Sequence, residues 1–347
     1  MLNEKRDTDT KKIVFFCQAG ADVVHILKEI DSILESDNNA SIRIICLTTV
    51  LFDCFNYIEL PSNVKLEYFR RIVPPIKKPW LKYKWIKIVD TCLRRYVLKE
   101  HVDKVYFTSV NSDPTSCYYI GICLKTGCDV LYLNHYDDIQ AIIPLENLTF
   151  KESVKLQMTR YMTGLHFSIY RMGGRWNVLH FHYEDYPIQV LHPILNKETC
   201  KKYAYKVKMG DKKAVLVYSQ PNRDHDLISD EEHDALFQEL VARLKNKGYY
   251  VVLKGHPRLG VCPINVNQAD EIIPKNLSAE LIDLTVFDAC YGFITIALSS
   301  SAKLGASSYS ILPLMKDTKS KNYKDCVKFT NESSEGKMKF VTSWGDL

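Results

Sequence analysis

The chain has 347 residues, of which 46% are hydrophobic and 25% charged, with a formal charge of +5. That composition excludes a disordered or collagen-like chain, and the length makes about two domains. No apolar stretch reaches the roughly 20 residues of a membrane span, and no signal-peptide core follows the charged start MLNEKRDTDTKK, so a cytoplasmic location is expected.

In chain order, KKIVFFCQAG is a continuous apolar strand, DVVHILKEIDSILES carries helical periodicity, and SIRIICLTT is a second strand. Between Lys65 and Lys99 the basic residues Arg70, Arg71, Lys77, Lys78, Lys82, Lys84, Lys87, Arg94 and Arg95 face only Glu67 and Asp90, with Trp80, Tyr83 and Trp85 interleaved. Such a segment suits peripheral contact with an anionic membrane surface, or else is a solvated helix face. No nucleic-acid module accompanies the charge, so nucleic acid is not an expected partner. VDKVYFTSV and CDVLYLNHYDD then read as strands around a helical SCYYIGICLKTG. All-apolar strands separated by helices predict a doubly wound parallel sheet. GGRWNVLHFHYEDY is either an acceptor surface, with Trp176, His180 and Tyr183 for sugars to stack on, or a buried hairpin.

The pattern restarts near residue 205. KKAVLVYSQPNRD is a strand ending in a polar turn, DEEHDALFQELVARLKNKG a helix stopped by Gly248, and YYVVLKGHPR the next strand. ADEIIPKNLSAELIDLT and ACYGFITIALSSSAKLGAS each read as strand, turn and helix. The expected architecture is α/β with two Rossmann-like domains facing a central cleft, over residues 1–195 and 205–330, with a C-terminal tail at 331–347. The link is expected around YPIQVLHPILNKET, where Pro187 and Pro193 interrupt periodicity.

Ligands of open α/β sheets sit at the carboxyl ends of the strands. Four polar turns occupy such ends: Ser219-Gln220, Lys254-Gly255-His256-Pro257-Arg258, Pro274 with Glu280 on a following helix, and Ser299-Ser300-Ser301 opening another helix. Serines beside free helix amides, with Lys254 and His256, make an anion cradle, and Glu280 is placed to accept two ribose hydroxyls. Singly, a serine-rich helix start is usually a cap and a His-Pro turn a surface turn. Together at successive strand ends they predict a nucleotide pocket without a Walker loop or GxGxxG. The Asp137-Asp138 pair after a strand is a candidate general base or a helix N-cap. His135, His180, His182, His192 and His225 form no HxxxH or HExxH pattern, and the eleven cysteines contain no CxxC pair, so no metal is expected.

KGHPRLG, IIPKNLSAELI and ALSSSAKLG resemble, in this order, the C-terminal signature of bacterial sialyltransferases with the GT-B architecture, and LNHYDDIQA is similar to that family's acidic motif, with Ile139 where the family has glycine. The resemblance implies a second domain that binds CMP-sialic acid, with His256 and the serines on the phosphate and Glu280 on the ribose. It implies that Asp137 or Asp138 takes the proton from an acceptor hydroxyl, with inversion and without a metal. The implied acceptor is a saccharide, and the setting suggests a galactose-terminated, lipid-linked one in O-antigen or capsule synthesis. The alternatives are a GT-B transferase using CMP-Kdo or a UDP-sugar, and a nucleotide-binding polysaccharide-assembly protein without catalysis.

Overall fold

In the computed structural model the described residues are 10–20, 22–69, 79–93, 102–108, 114–134, 142–172, 176–194, 196–222 and 227–347; of residues 79, 82, 89–93, 114–117, 171, 172 and 176 only the backbone is described. The chain divides into two compact units, one of Met1–Phe55 with Leu60–Leu195, the other of Asn56–Glu59 with Asn196–Leu347.

The first unit runs β1 (Lys12–Cys17), α1 (Asp22–Ser36), β2 (Ser41–Cys46), α2 (Thr49–Phe55), β3 (Val64–Tyr68), α3 (Lys82–Leu93), β4 (Lys104–Phe107), α4 (Pro114–Thr126), β5 (Asp129–Leu133), α5 (Phe150–Thr163), β6 (Phe167–Met172), β7 (Trp176–Phe181) and β8 (Ile188–Leu191). Its parallel sheet has the order β3-β2-β1-β4-β5-β8. The apolar runs of β1 and β5 are almost wholly buried, as strands covered on both faces must be. GGRWNVLHFHYEDY takes the hairpin reading: β7 pairs antiparallel with β6. The units divide at Leu195–Asn196, inside the stretch YPIQVLHPILNKET expected to hold the link, but its first part contributes β8 to the edge of this sheet, with Pro187 and Pro193 just outside the strand's ends. Proline is tolerated there because an edge strand has no second partner for the missing N–H.

The second unit runs α6 (Lys197–Lys202), β9 (Ala214–Tyr218), α7 (Asp230–Asn246), β10 (Tyr250–Lys254), β11 (Glu271–Ile273), β12 (Phe287–Gly292), α8 (Ile296–Lys303), β13 (Ser308–Ser310), α9 (Lys321–Ser333) and β14 (Lys339–Phe340). Its order, β11-β10-β9-β12-β13-β14, repeats that of the first. Both sheets are parallel and Rossmann-like, which is the α/β class read from the alternating pattern. The predicted helix after Pro274 is only a 3-10 turn, Ala279–Leu281. Residues 331–347 are not a tail: β14 adds to the sheet beside β13, and Val341 is 1% exposed.

Of the basic segment, residues 65–69 and 79–93 are described, and Arg70, Arg71, Lys77, Lys78, Arg94 and Arg95 lie outside the described residues. Trp80, Tyr83, Lys84 and Lys87 are exposed, but Trp85 is buried against Tyr118 (5.0 Å between centroids), so it belongs to the core and not to a surface patch. Among the described residues no helix is long and apolar enough to cross a membrane.

Candidate active site

In the second sheet the chain order reverses between β9 and β12, which both pair with their neighbours in parallel. A crevice at the carboxyl ends of these two strands is where this topology accepts a ligand. Four consecutive strand ends meet there: Ile273-Pro274, Lys254 to His256, Tyr218-Ser219 and Gly292.

Side chains tie these ends together. Lys254, 3% exposed, donates from Nζ to the carbonyls of Gly255 (2.7 Å) and Lys275 (3.0 Å), which fastens the turn after β10 to the turn after β11. A buried ammonium is tolerated because it is hydrogen-bonded. Its place in the expected anion cradle is thus taken by a bracing role. Ser219 is also fully buried; its Oγ accepts from the Cys262 amide (3.3 Å) and from Asn265 Nδ2 (3.1 Å), so it secures the far end of the histidine turn. Gln220 follows it, half-buried.

The turn itself is closed by a pair of backbone bonds, His256 N–H to the Gly260 carbonyl (2.9 Å) and Gly260 N–H to the His256 carbonyl (2.8 Å). Pro257 and Arg258 form its exposed tip. His256 Nδ1 accepts from the amides of Arg258 (3.2 Å) and Leu259 (3.3 Å). An imidazole nitrogen that accepts carries no proton, so the proton stands on Nε2, which is the donor end of the ring.

The serines do not open their helix. Helix α8 starts at Ile296, and Thr295 caps it, its hydroxyl accepting from the Ala297 amide (3.3 Å). Ser299 already sits one turn in, with its amide bonded to the Thr295 carbonyl (3.2 Å). Of the first amides of this helix, that of Ala297 is taken by Thr295, and those of Ile296 and Leu298 have no intrahelical acceptor. The missed signal is a threonine before an apolar run, the usual N-cap pattern. Ser299 and Ser301 are buried. Ser299 Oγ is bonded to Ser333 Oγ (2.8 Å), and Ser301 Oγ donates to the Ala297 carbonyl (3.0 Å). The Tyr218 hydroxyl therefore donates to Ser301 (2.6 Å), and burial pushes that phenol's pKa well up. Ser300 is half-buried, and its hydroxyl has no partner among the described residues.

Glu280 lies in the 3-10 turn, partly buried, and accepts from the Ser278 hydroxyl. Burial first and the Glu280 charge second raise the thiol of Cys200 in α6 to about 11.

In the first unit, Asp137, Asp138 and His135 lie outside the described residues, as does the Trp176 side chain. His180 is 1% exposed, and burial lowers it to about 4. It packs against Tyr170 at 4.4 Å and offers no face to a sugar, because β7 turns this position toward the core. Tyr183 is half-buried on Tyr132 (4.9 Å).

Residues 182–260 match the family described as alpha-2,8-polysialyltransferase (POLYST), a segment that ends with the histidine turn and is well short of half the chain. The resemblance to sialyltransferases read from the motifs is borne out by this match; the Pro274–Glu280 and serine segments lie beyond it. A comparison with curated proteins finds no match. Among solved structures, the chain is similar to the glycotransferase of kitacinnamycin, with TM-score 0.46 and 9% identity over 96% of this chain and 86% of that one. It is similar to the E. coli heptosyltransferase WaaC with ADP, with TM-score 0.43 and 12% identity over 95% and 92%. The sialyltransferase from Photobacterium damsela gives TM-score 0.40 and 9% identity over 96% and 81%. At these scores none of them lends a residue a role.

Proposed function

We propose that the chain is an inverting sialyltransferase that moves sialic acid from CMP-sialic acid to a hydroxyl of a saccharide acceptor. The observation that carries this reading is His256, held at the carboxyl end of β10 by two amides on Nδ1, within the segment that matches the polysialyltransferase family. Its Nε2–H and the first amides of α8 are the donors proposed for the donor phosphate, and the Ser300 hydroxyl adds a third. Glu280 is proposed for the ribose. The acceptor oxygen attacks the anomeric carbon, its proton passes to Asp137 or Asp138, and the bond to the phosphate oxygen breaks with its electron pair leaving on CMP. The imidazole, hydroxyl and amide donors are proposed to do the electrostatic work of a metal in this step, so turnover in excess EDTA is expected.

Mass analysis of products tests the reading, using CMP-sialic acid and galactose-terminated acceptors, with CMP-Kdo and UDP-sugars as competing donors. One added sialic acid is expected, and His256→Ala should lower turnover by about 10²–10³-fold with the fold retained. Product from a UDP-sugar and none from CMP-sialic acid would overturn it.

The acceptor we propose is lipid-linked, in envelope polysaccharide synthesis, because α3 exposes Lys84, Lys87 and Tyr83 beside Trp80. Each lysine near an anionic leaflet contributes about 1 kcal/mol, screened by salt. Binding to phosphatidylserine vesicles should fall for Lys84→Glu/Lys87→Glu and at high salt; equal binding by the variant would return the segment to a solvated face.

A further inference from the structure

His166 and His182 belong to no motif of the sequence, yet the hairpin makes them neighbours. Phe167 of β6 pairs with Phe181 of β7, and the ladder continues one step further, where the His182 amide donates to the His166 carbonyl (3.1 Å). The two rings stack with centroids 4.2 Å apart. A 3-10 turn, Tyr183–Asp185, follows at once, and the Asp185 amide donates to the His182 carbonyl (3.3 Å). Side chains three apart eclipse in such a turn. Asp185 therefore returns over the histidines, and its carboxylate bonds His166 Nδ1.

One donor atom from each of His166, His182 and Asp185 lies within 4.8 Å of the other two. Tetrahedral ligands about 2.0 Å from zinc stand roughly 3.3 Å apart, so a modest rotation of side chains closes the set. His166 and Asp185 are each half-exposed and have room for it. Two further groups complete the arrangement. The Ser168 hydroxyl is bonded to His182 Nε2, which holds the ring as an outer partner holds a metal-ligating imidazole. Glu184 Oε2 stands 4.0 Å from His182 Nδ1 and is a further carboxylate beside the set.

We propose that the base of this hairpin binds one divalent cation of the zinc class through His166, His182 and Asp185. Imidazole pairs with one carboxylate suit zinc over magnesium or calcium, which take oxygen donors. Binding replaces the direct hydrogen bond between His166 and Asp185, and it pins the 3-10 turn to the hairpin. The site is independent of the sialyltransferase reading and of turnover, and metal uptake is its readout.

The full chain, without a polyhistidine tag, is dialysed against zinc and analysed for metal, and cobalt(II) is titrated while its visible absorption is followed. One chelator-reversible equivalent is expected, with a rise in melting temperature on zinc addition. His182→Gln and Asp185→Asn should each weaken binding on the order of a hundredfold, and Ser168→Ala by about tenfold. His192→Gln, at an exposed position outside the set, should bind as the parent does. Asp185 is surface-placed, so its variant reports binding without a folding defect. Uptake well below one equivalent, or unchanged affinity in both His182→Gln and Asp185→Asn, would overturn the site.

Discussion

A side chain at position 255 has no space to enter. A β-carbon there would stand 2.4 Å from the Gly260 carbonyl carbon and 2.5 Å from the Val261 nitrogen, and backbone atoms of a closed turn cannot step aside. Gly255→Ala should therefore open the His256–Gly260 turn, costing about 1–3 kcal/mol. The expected result is a lower melting temperature together with loss of donor binding; an unchanged melting temperature would show that the turn adapts. The three serines separate by the same kind of reasoning. Ser300→Ala removes a hydroxyl without a partner among the described residues, so stability should stay within about 0.5 kcal/mol while the donor KM rises. Ser301→Ala strands the buried Tyr218 hydroxyl and should cost about 1–3 kcal/mol in urea unfolding. Equal effects of the two on stability and KM would contradict these assignments.

Among elements, β11 is anchored through the residue that precedes it. Asp270 receives both Lys245 of α7 (2.6 and 2.7 Å) and the Val251 amide of β10 (2.8 Å). Burial alone would raise its pKa, but the lysine and the amide outweigh it and lower it. A carboxylate with a depressed folded pKa adds stability that is complete above the unfolded value, near 3.9, and is lost as pH falls through the folded value. Asp270→Asn should thus cost about 1 kcal/mol at pH 7, and the gap to the parent should close as pH falls through the depressed folded value. A gap that is constant from pH 7 to pH 2.5 would mean that the carboxylate charge is not what holds β11.

For the molecule as a whole, each unit carries its own buried sheet, and the second is completed by its last residues. β14 covers the edge of β13, Val341 is buried, and Arg243 of α7 lies over the Trp344 ring at 5.4 Å. Deleting residues 335–347 should lower the melting temperature and favour association, because an uncovered strand edge pairs with other chains. A truncated chain that stays monodisperse with the parent's melting temperature would show that the second sheet is complete without them.

Much of the molecule is local and was therefore open to reading from the sequence. Apolar runs such as IVFFC and AVLVY must be buried on both faces, amphipathic DEEHDALFQELVARLKN must pack one face, and together they specify a parallel α/β chain with polar turns at strand ends. The placing of His256, Ser219 and Lys254 in such turns followed from the same patterns. What each side chain does there was decided by packing, which the sequence does not contain. That Thr295 caps the helix was readable, as a threonine before an apolar run, but the pattern does not say that Ser299 and Ser301 spend their hydroxyls inside. The lysine looks like a phosphate ligand until the Gly255 and Lys275 carbonyls close on it. Trp85 stood in a segment suited to a surface and is core, and His180, left open between acceptor surface and buried hairpin, is core too, since a half-apolar helix or strand has two faces and only the neighbouring elements choose between them. His166, His182 and Asp185 are the plainest instance, because strand register and a 3-10 turn, both tertiary in origin, bring their side chains to one point.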